Sequence, residues 1–146
     1  MPLEKIMKEK ISADHLLYVS MKYTKTCDVM LNLIKRWEVM LDLCLDALLD
    51  KLKKNKKIDI IPKAPKMKID ALKKALKKEE LIIETLETYE FFKRVQNLEK
   101  IREAEFRKNV CLAVMDNGKE VRINMDKLKE YAELLERFIK FVRGYL

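Results

Sequence analysis

At 146 residues, with 49% hydrophobic and 38% charged side chains and a net charge of +8, the chain is sized for one folded domain with a substantial core and a densely charged surface. That composition describes a folded and not a disordered protein, and no membrane span is expected, because Lys35, Arg36, Glu38, Asp42 and Asp46 interrupt the richest apolar window. Two glycines and three prolines leave room for long uninterrupted elements, which at this composition means helices, and the abundance of Lys and Glu follows the habit of thermophile proteins.

The opening "MPLEKIMKEK" places charges where a secretory signal would need an apolar segment, so no signal peptide is expected. Residues 13 to about 54 read as one long helix or two helices nearly in line, with Ser12 as N-cap and a weak point at "YTKT". Tyr23, Cys27, Met30, Ile34, Trp37, Leu41, Cys44 and Leu48 alternate steps of four and three, the spacing of a coiled-coil seam. Leu31, Leu45, Leu49 and Leu52 lie beside it, so this helix is expected to be central and covered on several sides, by its own chain or by a second copy.

Pro62 and Pro65 then impose an irregular stretch, after which Asp70 is placed to cap a second long helix from about Ala71 to Lys108. Its apolar positions include Leu72, Leu76, Ile83, Leu86, Phe92, Val95, Leu98 and Phe106. The two helices, each roughly 60 Å long at ~1.5 Å per residue, predict an antiparallel helical hairpin over about 13–108. The period changes to two in "NVCLAVMDNGKEVRINM", centred on Asn117-Gly118, a strong hairpin signal. A two-residue turn there pairs Val114 with Val121, Leu112 with Ile123 and Val110 with Met125, all on one face of a β-hairpin over about 109–125. Asp126 is read as the cap of a last helix over about 127–144, with Leu128, Tyr131, Leu135, Phe138, Val142 and Tyr145 as its seam and Glu133–Arg137 and Glu136–Lys140 as i,i+4 pairs on its outer face. The expected fold is therefore mainly α: a single domain, 1–146, made of a long helical hairpin, one β-hairpin and a C-terminal helix.

Catalytic chemistry finds little support. The single histidine, His15, has no partner group at a telling spacing, and one histidine cannot supply the two Glu-x-x-His motifs of a di-iron bundle. Glu80, Glu84 and Glu87 share a helix face, as do Glu99 and Glu103, but such rows are ordinary solvated surface, and the two glycines cannot build a phosphate loop. In size and helix content the chain resembles small helical ribonuclease domains of the HEPN type. Their Arg-to-His signature has only "KISADH", Lys10 to His15, as a counterpart, with lysine for arginine, so the resemblance carries no activity over. No enzyme activity, cofactor or metal is expected. The three cysteines, Cys27, Cys44 and Cys111, are widely spaced without a C-x-x-C motif and read as reduced apolar residues of a cytoplasmic protein.

One stretch stands out. Residues 51–78, "KLKKNKKIDIIPKAPKMKIDALKKALKK", hold twelve lysines and two aspartates, a net +10, so the remaining 118 residues sum to −2. The protein has one basic region on a nearly neutral body, and the hairpin places that region at its tip. Lys73 and Lys74 fall in the first turn of the expected second helix, where the helix dipole disfavours positive charge and a bound phosphate would offset it. With neither arginine nor an aromatic residue in the stretch, any contact to RNA or DNA should be to the backbone, tolerant of sequence and steeply salt-dependent. The residues expected to make it are Lys53, Lys54, Lys56, Lys57, Lys63, Lys66, Lys68, Lys73, Lys74, Lys77 and Lys78. An anionic membrane would satisfy the same lysines, but Ile58, Ile60 and Ile61 are too few to anchor it. The alternative is a helical oligomerisation or adaptor module, with a homodimer as the first expectation, acting through protein contacts while the lysines stay solvated.

Overall fold

A computed structural model describes residues 2–146. The fold is mainly α, and among the described residues no helix is long and apolar enough to cross a membrane. In chain order it consists of α1 (Pro2–His15), a π-helical turn (Leu16–Ser20), α2 (Met21–Tyr23), α3 (Cys27–Lys54), α4 (Pro65–Ala75), α5 (Glu80–Val95), β1 (Lys100–Glu103), β2 (Cys111–Asp116), β3 (Lys119–Asn124) and α6 (Met125–Tyr145).

The first arm departs from the expected single helix. Helix begins at Pro2, a position where proline costs nothing because its missing N–H would be unpaired anyway, and Ser12 lies inside α1 rather than capping it. The break falls at Thr24–Thr26, within "YTKT". There Thr26 takes an extended conformation and its hydroxyl oxygen accepts from the Val29 N–H at 3.3 Å, so α3 starts afresh. The break reverses the chain: Glu9 of α1 meets Arg36 of α3 at 3.2 Å, and Pro2 shares a groove with Ala47 and Asp50. α1 thus lies antiparallel along α3, burying Ile6 and Ala13.

α3, 28 residues and about 42 Å long at ~1.5 Å per residue, is the central strut. It contacts α1, α4, α5, α6 and β2, which explains why its apolar residues cover more than one face. Trp37 stacks on Phe92 of α5 with ring centroids 5.7 Å apart, and both rings meet Tyr131 of α6 edge-on. Met30, Ile34, Leu41, Cys44, Leu45, Leu48, Leu49 and Leu52 are all buried. These apolar residues of α3 are therefore covered within one chain, with Leu31 half-buried.

The return arm is not one helix. α4 starts at Pro65 with Ala64 in the cap position, so Asp70 lies mid-helix, and α4 ends at Ala75. α5 is separate and stops at Val95. Where the expected helix continued to Lys108, residues 100–103 form a third strand, pairing Lys100 with Val114 and Glu103 with Cys111. The sheet order is β1-β2-β3, all antiparallel. The β2–β3 hairpin has the expected register, Leu112 opposite Ile123 and Val114 opposite Val121, with Asn117 (φ 54°) and Gly118 (φ 79°) in the left-handed conformations that a type I′ turn requires. Val110 and Met125 are not paired, because Met125 already belongs to α6. The cap of α6 is Asn124, whose side-chain oxygen accepts from Lys127 N–H at 2.8 Å, two residues before the expected Asp126. On α6 the expected inner seam is buried from Leu128 to Val142, while Glu136 pairs across to Lys10 of α1 rather than along its own helix.

A polar layer fixes α5 on α3. Glu38, only 8% exposed, faces Lys93 at 3.4 Å, Lys93 also reaches Asp42 at 3.7 Å, and the Tyr89 hydroxyl donates to Asp42. Burial and the Asp42 carboxylate push the Tyr89 hydroxyl well above its ordinary titration range, so it stays a donor. A bidentate pair, Arg94 with Asp116 at 2.8 and 3.1 Å, ties the end of α5 to the β-hairpin.

Candidate nucleic-acid interface

The lysine region is built by three local devices. The first ends α3. Lys57 N–H donates to Leu52 C=O at 2.9 Å and Lys56 N–H to Lys53 C=O at 3.0 Å, the paired bonds of a Schellman motif. Its pivot needs a left-handed residue, nearly always glycine, yet here it is Lys56 at φ 59°. Lys53 and Lys54 precede this pivot in the last turn of α3, where the dipole favours positive charge.

The second device is the start of α4. Pro65 fixes the first turn, Ala64 has no side chain able to cap it, and the turn holds no acidic residue. Its exposed N–H groups therefore lie beside Lys63 and Lys66, both exposed. The third device is the end of α4 and the turn before α5, which carries Lys73, Lys74, Lys77 and Lys78. Because α4 begins six residues earlier than expected, Lys73 and Lys74 fall in its last turn, a favourable place, and the unfavourable charge belongs to Lys66 and Lys68 instead.

The eleven lysines are not equivalent. Lys68 pairs with Asp46 at 2.7 Å and Lys73 with Glu90 at 2.9 Å. Asp46 sits eight residues, or about 12 Å at ~1.5 Å per residue, back from the end of α3. α4 is thus folded against the flank of α3, anchored by buried Ile69 and Leu72, and the tip is a packed cap and not an open loop. The other nine lysines are exposed, and none forms an ion pair among the described residues. Of the apolar loop residues, Ile58 and Ile61 pack on the core, leaving Ile60 exposed.

Beside the lysines, α1, α3 and the chain end at Leu146 enclose an open groove of about 690 Å³ with an apolar floor of Leu3, Met7 and Ala47. Lys51 and Lys54 stand on its rim with Asp50. Elsewhere, no group of three or more His, Cys, Asp or Glu among the described residues is placed to hold a metal ion. The three cysteines are buried and unpaired with one another. Burial pushes the Cys44 thiol up to about 12, and burial with the nearby Glu105 carboxylate pushes Cys27 up to about 11, so neither is a nucleophile near neutral pH. His15 is exposed and lines a shallow groove with Lys35, Arg36 and Asn32.

Two residues assigned to buried seams by their spacing are instead exposed at the opposite end of α3: Tyr23 at 78% and Phe106 at 74%. Both precede or follow a chain break that the spacing did not register. No protein-family model, curated protein or solved structure matches the chain.

Proposed function

We propose that this protein is a non-enzymatic nucleic-acid-binding module whose lysine cap, from Lys53 to Lys78, grips the phosphate backbone of RNA or DNA without reading sequence. The observation that carries the reading is the set of nine exposed lysines with no carboxylate partner, spread over the end of α3, the uncapped start of α4 and the turn after α4. On the β-sheet side, by contrast, the arginines are paired: Arg122 meets Glu103 and Glu120, Arg94 meets Asp116, and Arg102 meets Asp28. Lys56 adds a second support: it stands where glycine would sit with less strain, and its ammonium lies in solvent.

Phosphate oxygens would take the place that carboxylates leave vacant, with the α4 N–H groups adding oriented dipoles. Lysine contacts of this kind fix position without discriminating bases. The test is a variant with Lys56, Lys57, Lys63 and Lys66 all replaced by glutamate. All four are exposed and outside the core, so helicity by circular dichroism should be unchanged while binding to duplex RNA and DNA is lost. Unaltered binding in that variant would rule the cap out as the interface.

A further inference from the structure

The opposite end of α3 carries a surface of a different chemistry. The loop after β1 docks on the turn between α2 and α3: Phe106 N–H donates to Lys25 C=O at 2.6 Å, and Cys27 N–H donates to the Glu105 carboxylate at 3.0 Å. These bonds hold Phe106 and Tyr23 at the same end of α3. Summing bond lengths through Lys25 bounds their Cα separation at about 14 Å. Both rings project into solvent, and Ile101 on the adjoining strand is 53% exposed.

Phe106 has φ 67° and Ala104 φ 52°, left-handed conformations that cost an L-residue energy and that glycine would adopt freely. A folding role does not account for a strained phenylalanine that packs on almost nothing. Around the two rings, Lys22, Lys25, Arg107 and Lys108 form no ion pair among the described residues, and the Lys22 ammonium stands 5.8 Å from the Tyr23 ring centre. The local carboxylates are already engaged: Asp28 meets Arg102 at 2.8 Å and Glu105 meets it at 3.5 Å. Exposed rings interleaved with unpaired cations, arginine included, are what an unpaired nucleic-acid strand needs, since every base has a face to stack and every linkage a charge to neutralise.

We infer that Tyr23 and Phe106 form a stacking platform for the bases of single-stranded nucleic acid, flanked by Lys22, Lys25 and Arg107 as phosphate contacts. The platform shares its class of ligand with the lysine cap but none of its residues, and it lies the length of α3, about 42 Å, from it. A short oligonucleotide therefore reaches one surface at a time.

The experiment uses the full chain and a fluorescently labelled oligouridylate of about eight nucleotides, titrated by anisotropy, beside a duplex of equal length. Wild type should bind the single strand, with about tenfold loss of affinity for Tyr23→Ala and again for Phe106→Ala. The four-glutamate cap variant should leave oligouridylate binding intact while losing the duplex. Phe106→Leu keeps bulk and apolarity without a ring, and it should bind oligouridylate as poorly as Phe106→Ala. Equal binding by Phe106→Leu and wild type would overturn stacking. Duplex binding without oligouridylate binding would overturn the platform and leave the cap standing. The reverse pattern would leave the platform and remove the cap.

Discussion

Replacing Lys56 by glycine separates the folding and binding contributions of one residue. The left-handed pivot of the Schellman turn at φ 59° costs an L-residue about 1–2 kcal/mol that glycine avoids. Glycine returns part of that, about 0.4–1 kcal/mol, through its greater freedom in the unfolded chain. The variant should therefore be more stable by about 0.5–1 kcal/mol, or about 0.3–0.5 M in urea midpoint at a slope of ~2 kcal/mol/M. Binding should move the other way. One lost phosphate contact lowers the slope of log affinity against log salt by about 0.9 on duplex DNA. Paired urea denaturation and salt titration of wild type and variant measure both quantities. A loss of stability would refute the strained-pivot geometry, and an unchanged salt slope would refute a phosphate contact by Lys56.

Lys68→Ala and Lys73→Ala, which break surface pairs with Asp46 and Glu90, should cost about 0.2–1 kcal/mol each and change the salt slope less than removal of any two unpaired lysines. The Arg94 guanidinium holds the Asp116 carboxyl below its ordinary value of 3.8. Its stabilising contribution is thus present above that value and is lost as pH falls further; acid titration of Arg94→Ala should lack this component, and an identical acid profile would contradict it. Trp37→Ala, which empties the stack on Phe92, should cost about 3–5 kcal/mol without altering oligomeric state in sedimentation; dissociation of an assembly would instead place Trp37 at an interface. Phe106→Gly should raise the melting temperature by about 2–4 °C if the relief is ~1 kcal/mol, while weakening oligouridylate binding.

The elements written in local chemistry were legible. Asn117-Gly118 set the hairpin and its register because the turn demands two left-handed residues and the alternation leaves one buried face. The centrality of α3 followed from its broad apolar set, and Thr24 and Thr26 marked a weak point read as a kink, where Thr26 in fact caps a new helix. What those threonines do, turning the chain back so that α1 covers α3, depends on contacts distant in sequence. The strand Lys100–Glu103 was illegible for the same reason: "KIRE" alternates no apolar face and is held by its partner Cys111–Val114. In the lysine region the residues were legible and their roles were not. Shifting the helix start from Ala71 to Pro65 moved Lys73 and Lys74 from an unfavourable to a favourable end, and only side-chain geometry separates Lys68 and Lys73 from their unpaired neighbours. Tyr23 and Phe106 were assigned to seams by spacing alone, which continues a helix through breaks marked by neither glycine nor proline.

The most direct test is titration of the wild-type protein against labelled duplex DNA at about 50 and about 200 mM salt. With six or more lysines of the cap on phosphates, affinity should fall by about a thousandfold or more between the two and should ignore sequence. Absence of binding at the lower salt, or affinity indifferent to salt, would contradict the lysine cap as a phosphate-binding surface.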